Sequence, residues 1–226
     1  MAERRVWIAI PCYNEGSVIA ETVRAARARF PDVVVVDDAS SDASGAAAYS
    51  AGAHVARHPF NMGQGAALAT GIAYALREGA THVATFDADG QHDIADVSRM
   101  LEQLEADDLD VVLGSRFLGS SVNMPAARKA FLRAAVVFTR ITSGLPVTDA
   151  HNGLRVMRAS FARDLVIRQN RMAHASEILT RISERGVRWA ECPVTIHYTD
   201  YSLAKGQKLS NSVNILLELL SRRIHQ

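Results

Sequence analysis

Val83-Ala84-Thr85-Phe86-Asp87-Ala88-Asp89-Gly90-Gln91-His92 is an apolar run that breaks off into two carboxylates one residue apart, followed by an amide. Read as a strand ending at Phe86, it sets Asp87 and Asp89 where the chain leaves the core. Carboxylates are stable in water or when paired, and a cation at this point would pair them. Gly90 lets the backbone turn, so Asp87, Asp89 and Gln91 can offer hard oxygens together. That donor set suits Mg²⁺ or Mn²⁺ rather than zinc. Taken alone, an Asp-x-Asp pair is equally compatible with a solvated loop or a helix cap.

The flanking sequence repeats the same design. Strand-like runs at 6–11, 33–36, 54–57, 82–86 and 110–114 alternate with helical patterns at 17–29, 42–50, 63–77 and 94–105. Near-continuous apolar strands between helices imply an α/β fold whose mostly parallel sheet is covered on both faces. In such folds ligands gather outside the carboxyl ends of the strands. Asn14 and Glu15, Asp37 and Asp38, Asn61, the Asp87/Asp89 pair, and Ser115 with Arg116 all fall at such ends.

The second half is less regular. A helix is expected over 126–142, with Phe131, Ala134, Val137, Phe138 and Ile141 on one side and Arg128, Lys129, Arg133 and Arg140 elsewhere. A helix over 175–184 ends at Gly186, before a strand near 187–196. A polar stretch then leads to an amphipathic helix over 211–224, with Val213, Leu216, Leu217, Leu220 and Ile224 at helical spacing. No repeat or linker divides the chain, so one domain over 1–197 and a loop-and-helix tail over 198–226 are expected.

Bulk properties narrow the classes. The 226 residues, 48% hydrophobic and 22% charged, suit a soluble protein with a real core. A net charge of +1 argues against a general nucleic-acid binder. Cys12 and Cys192 lack the spacing of a metal site or a disulfide framework. No apolar run reaches the ~20 residues of a spanning helix. The first residues lead straight into a strand, so no signal peptide is expected, and a cytoplasmic location follows.

Six motifs now stand in order: Ile10-Pro11-Cys12-Tyr13-Asn14-Glu15, Val36-Asp37-Asp38-Ala39-Ser40-Ser41-Asp42, Asn61-Met62-Gly63-Gln64-Gly65-Ala66, Asp87-Ala88-Asp89-Gly90-Gln91-His92, Gly114-Ser115-Arg116 and Asp149-Ala150-His151-Asn152-Gly153-Leu154-Arg155. Together they resemble the family 2 glycosyltransferases of GT-A fold, and among them the dolichyl- and polyprenyl-phosphate mannosyl- and glucosyltransferases. The resemblance spans residues 6–197.

The resemblance implies a division of labour. Pro11, Tyr13, Glu15, Asp37, Asp38, Asn61, Gly65, Asp87 and Ala88 would surround a GDP- or UDP-linked hexose. Asp89 and Gln91 would hold Mg²⁺ or Mn²⁺, with Asp87 acting through water or touching ribose. Arg116 and Arg128 would hold phosphate, and Asp149 would take the proton of a sugar-hydroxyl acceptor. Arg155, Glu177, Lys205 and Lys208 would lie on the acceptor side. An acceptor lipid phosphate needs no such base, because its second pKa is about 6. Two departures stand out: Asn152 replaces the family's Ser or Thr, and the arginine that usually follows the last strand's tyrosine, here Tyr198, is missing.

The expected activity is therefore inverting transfer of a hexose to a polyprenyl or dolichyl phosphate or a related membrane glycan. The alternative within the family is a hydroxyl acceptor in polysaccharide synthesis. A nucleotidyltransferase would open on a Gly-rich loop with Arg and Lys, which this chain lacks after its first strand. The intact Asp87/Asp89/Gln91 set speaks against a non-catalytic nucleotide-sugar-binding module. For the tail helix four docking partners are open: its own domain, a peripheral membrane surface, a small membrane protein, or a second copy in a homodimer.

Overall fold

Strand β1, Val6–Cys12, is buried along its whole length and sends alternate side chains into two cores. Ile8, Ile10 and Cys12 enter one, Trp7 and Ala9 the other. Burial on both sides is why the strand reads as continuously apolar rather than alternating. The structure, a computed structural model, describes residues 4–171, 173–199 and 201–202. The expected helix over 211–224 and the cations Lys205 and Lys208 lie outside the described residues.

The elements follow in chain order: α1 (Ile19–Arg27), β2 (Asp32–Asp37), α2 (Ser44–Ser50), β3 (His54–Arg57), α3 (Gln64–Arg77), β4 (His82–Thr85), α4 (Ile94–Ala106), β5 (Val111–Val122), α5 (Ala126–Ser143), β6 (Arg155–Arg158), α6 (Ala159–Asp164), α7 (His174–Arg185) and β7 (Trp189–His197). The seven strands form one sheet in the order β3-β2-β1-β4-β6-β5-β7. Helices α1, α2 and α4 pack on one face through Ile19, Val23, Ala48, Val97 and Met100. On the other face lie α3, α5, α6 and α7, through Ile72, Val136, Phe161 and Ile178.

All pairings are parallel except those of β6, which runs against both β4 and β5. The sequence reading missed β6 and the short α6 after it. Strand β6 is only four residues, Arg-Val-Met-Arg, so charge at both ends hides its apolar middle. Its reversed direction matters for the site. Arg155 pairs with Thr85, so the start of β6 sits at the carboxyl end of β4, beside the Asp87 loop. Strand β5 also runs beyond the expected Gly114, pairing again with β7 after a register shift between Ser115 and Ser120.

Helix α5 corrects one reading of orientation. It buries Leu132, Ala135, Val136, Thr139 and Ser143. Of the expected apolar side, Ala134, Val137 and Ile141 are exposed, and Phe131 and Phe138 are half-buried. The helix has apolar residues nearly all round, so pattern alone did not say which stripe meets the core.

Candidate active site

The loop after β4 is pinned at three points. Thr22 Oγ1 donates to the Ala88 carbonyl at 3.1 Å, His197 N–H to the Gln91 carbonyl at 2.9 Å, and Asp93 caps α4 by accepting from Ala95 N–H at 2.8 Å. Within it, Asp87 Oδ2 lies 2.8 Å from His92 Nε2, and Gln64 Nε2 donates to Asp87 Oδ1 at 3.4 Å. Gly153 presses against the same carboxylate, since a Cβ there would come within 2.6 Å of Asp87 Cγ. Burial works to raise the Asp87 carboxyl, but the His92 hydrogen bond and the charges of His92 and Arg155 outweigh it and hold it below the usual range.

Asp89 is in the opposite state. Its Oδ1 accepts from Gln91 N–H at 3.1 Å, yet burial, and then the Asp87 charge, push its carboxyl up to about 6. A divalent cation would relieve both causes, so the site fits Mg²⁺ or Mn²⁺ on Asp89 and Gln91. Among the described residues no three His, Cys, Asp or Glu side chains converge into a metal cage. A cation here would complete its shell with substrate oxygens, as Mg²⁺ commonly does.

At the ends of β1 and β2 the two neighbouring aspartates separate in role. Asp38 is fully engaged: its carboxylate accepts from Met62 N–H at 2.8 Å and Gly63 N–H at 2.7 Å, and meets His58 Nδ1 at 2.7 Å. It holds the turn into α3. Asp37 Oδ1 accepts from Ser40 N–H at 2.9 Å, while its buried Oδ2 has no hydrogen-bond donor among the described residues. Arg57 Nε stands 3.6 Å from that oxygen. Of the two aspartates, both expected at the nucleotide, Asp37 is the one with an oxygen that no described hydrogen bond occupies.

Glu15 is fixed by Ser44 Oγ, which accepts its N–H at 2.7 Å, and its Oε2 accepts from the Tyr201 hydroxyl at 2.6 Å. Pro11 is buried, whereas Tyr13 and Asn61 are exposed at the same rim. Gly65 serves packing: its N–H donates to the Asn170 carbonyl at 2.7 Å, and a Cβ would overlap the Gln169 carbonyl. Glu177 braces the same loop by accepting from Arg168 and Gln169 N–H at 2.8–3.1 Å. This loop contact is what the structure shows for Glu177, which was expected on the acceptor side.

On the far side of Asp87 lies a buried charge cluster. Arg116 Nε donates to Asp149 Oδ2 at 2.6 Å, Nη1 to the Tyr198 hydroxyl at 2.8 Å and Nη2 to the His151 carbonyl at 3.0 Å. Burial alone would lower the Arg116 pKa, but Asp149 and Tyr198 outweigh it and raise it. Asp149 Oδ1 accepts from His151 N–H at 3.3 Å, so both its oxygens are taken. Asp149, expected to take the proton of a hydroxyl acceptor, stands here ion-paired with Arg116. Arg128 stacks on Tyr198, its Cζ 5.1 Å from the ring centroid. Arg155 is fully buried, and its Nη1 has no hydrogen-bond partner among the described residues. Burial, against the pull of Asp87 and Asp149, lowers its pKa.

Sequence reasoning missed four of these parts. Glu191 on β7 accepts from Thr148 and Asp149 N–H at 2.8–3.1 Å, and nothing around it marks that role. His58 gives no local signal either. His92 stood inside a quoted motif, three and five positions after its two aspartates, and Tyr198 was noted as the tyrosine of the last strand.

Similarity to known proteins agrees with this geometry. The model of the family described as "Glycosyl transferase family 2" matches residues 7–166. The undecaprenyl-phosphate mannosyltransferase of Micrococcus luteus is 34% identical over 203 residues, 84% of this chain and 83% of that protein. The UDP-N-acetylglucosamine–dolichyl-phosphate N-acetylglucosaminyltransferase of Methanococcus voltae is 28% identical over 246 residues, 97% and 96% of the two. Among solved structures, glucosyl-3-phosphoglycerate synthase of Mycobacterium tuberculosis in complex with Mn²⁺, uridine diphosphate and phosphoglyceric acid has a TM-score of 0.75. At 17% identity, over 98% of this chain and 79% of that one, the likeness is one of GT-A fold.

Proposed function

We propose, from the premise that this chain belongs to glycosyl transferase family 2 and is a glycosyltransferase, that it moves a hexose from a nucleotide-sugar to a polyprenyl-type lipid phosphate. The observation that carries the choice of acceptor is the pairing of Asp149 with Arg116 at 2.6 Å. A hydroxyl acceptor needs a carboxylate to take its proton, and this one already holds a guanidinium. A phosphate monoester arrives ionised and needs cations instead. Arg128, over the Tyr198 ring, and Arg116, bonded to that tyrosine's hydroxyl, can supply them.

In this reading a lipid-phosphate oxygen attacks the anomeric carbon from the face opposite the nucleotide. The bond from that carbon to the diphosphate oxygen breaks, and its electron pair leaves with the nucleoside diphosphate. Positive charge builds on the sugar ring meanwhile. Asp37 would accept a base N–H through Oδ2, which no described hydrogen bond occupies, and Glu15, locked by Tyr201, would face the ribose. Asp89 and Gln91 would hold Mg²⁺ or Mn²⁺, which supplies Lewis-acid stabilisation of the diphosphate's growing charge. Asp87, clamped by His92 and Gly153, fixes the loop that carries Asp89.

The test offers the full chain UDP- and GDP-sugars with a short polyprenyl phosphate or the matching polyprenol. Transfer to the phosphate, with the alcohol inert, is expected. Equal or better transfer to the alcohol or to a saccharide would overturn the acceptor choice.

A further inference from the structure

Helix α5 turns an apolar face to solvent. Its buried side is Leu132, Ala135, Val136, Thr139 and Ser143. At 3.6 residues per turn the opposite side carries Ala130, Ala134, Val137 and Ile141. All four are exposed, Val137 at 57% and Ile141 at 71%. The outer face of a surface helix ordinarily carries charge or amides, and this one has neither. Lys129, Arg133 and Arg140 form a row along one edge, all exposed, while Phe131 and Phe138 line the other edge half-buried. No Asp or Glu occurs anywhere in the helix.

We propose that this face of α5 docks on an anionic lipid surface, a step that rests on the lipid-acceptor reading above. An apolar stripe edged by cations and aromatic rings, with no acid, matches the boundary between lipid headgroups and acyl chains. Charge disfavours a second copy on the same face, because each helix would bring cations and no carboxylate to meet them. The first turn of α5 also reaches the site: Arg128 lies over Tyr198, which accepts from Arg116. A helix lying flat on the bilayer would thus hold the phosphate-binding arginines at the level where lipid headgroups stand.

The test measures co-sedimentation of the full chain with phosphatidylcholine vesicles, with and without about 30% phosphatidylglycerol. Removing Lys129 and Arg133 together as alanines is expected to weaken binding to the anionic vesicles about 25-fold, at about fivefold per cation. Val137→Glu with Ile141→Glu is expected to weaken binding to both vesicle types by ~10-fold or more. Because both residues are exposed, the melting temperature and transfer to a short-chain acceptor in detergent should stay at wild-type values. Vesicle binding unchanged in both variants overturns the proposal. So does a change in self-association of the glutamate variant with vesicle binding intact, which would assign the face to a second copy. The acceptor reading fails separately, through absence of transfer to lipid phosphate while the vesicle results stand.

Discussion

Tyr201 donates its hydroxyl to Glu15 Oε2 at 2.6 Å, joining residues 186 positions apart. The chain after β7 thereby closes onto the end of β1, beside Asp37. Glu15 is already fixed at its backbone by Ser44, so this bond sets the carboxylate's direction. Tyr201→Phe keeps the ring and removes the bond. It should weaken nucleotide binding by about 1 kcal/mol, some fivefold, the usual net worth of such a bond. Titration calorimetry with UDP and GDP checks it, and unchanged affinity for both would leave the latch without a role in recognition.

The adjacent aspartates should separate in their effects. Asp38→Ala strands two part-buried N–H groups and the buried His58, so it should lower stability by about 3 kcal/mol. Asp37→Ala should cost less stability and weaken nucleotide binding by about 1–3 kcal/mol. Chemical unfolding and calorimetry on both variants decide. Loss of affinity without loss of stability in Asp38→Ala would reverse the assignment.

Much of this site was legible because its backbone anchors are local. Each motif sits at a strand end, and an α/β sheet brings those ends to one edge whatever the side chains do. The pairings between motifs were not legible. Arg116 and Asp149 lie 33 positions apart, and each alone reads as an ordinary site charge. Only β6, inserted antiparallel between β4 and β5, brings Arg155 to Asp87, and four residues bounded by arginines carry no strand signal. The face of α5 was ambiguous for a physical reason as well: two apolar stripes satisfy the same period, and tertiary packing chose between them.

Metal dependence has a direct readout in binding. Asp89→Ala should abolish the extra thermal stabilisation that Mn²⁺ adds to nucleotide, and should lose transfer while remaining folded. Chelator should do the same to the unaltered chain. Ligand linkage gives about 2.7 kcal/mol at 100 times the dissociation constant, well within reach of a melting curve. Full activity of Asp89→Ala in chelator would sink the assignment.

His174 predicts an acid limit to stability. Burial first, and then the Arg155 charge, lower its pKa from 6.5 to about 4. The folded state therefore binds fewer protons than the unfolded one between these values. Stability falls as pH drops from about 6.5 to about 4, by roughly 3 kcal/mol for this group. His174→Gln cannot titrate, so the fall between pH 7 and pH 4.5 should shrink by about 2 kcal/mol in urea unfolding. Comparing the two proteins cancels the opposite trend of Asp89, whose raised pKa favours the folded state as pH falls. Parallel pH curves for both proteins would contradict the assignment.

Two glycines in this site do different work, and one methyl group separates them. At Gly65 an added Cβ would meet the backbone carbonyl of Gln169, in the loop that Glu177 braces. Backbone cannot swing aside, so Gly65→Ala should act through stability, by about 1–3 kcal/mol of overpacking, with the surviving folded fraction retaining its turnover. At Gly153 the atoms nearest the Cβ would be those of the Asp87 carboxylate, which His92 and Gln64 hold in place. Relief there means turning Asp87 and breaking the His92 contact, which displaces the loop bearing Asp89 by a fraction of an ångström. Misplacement of about 1 Å costs on the order of 100-fold in rate. Gly153→Ala should therefore lose turnover far more than melting temperature, and should need more Mn²⁺ for half-maximal activity. Near-normal activity in Gly153→Ala, or a loss in both variants that follows stability alone, would show that Asp87 does not control the metal loop.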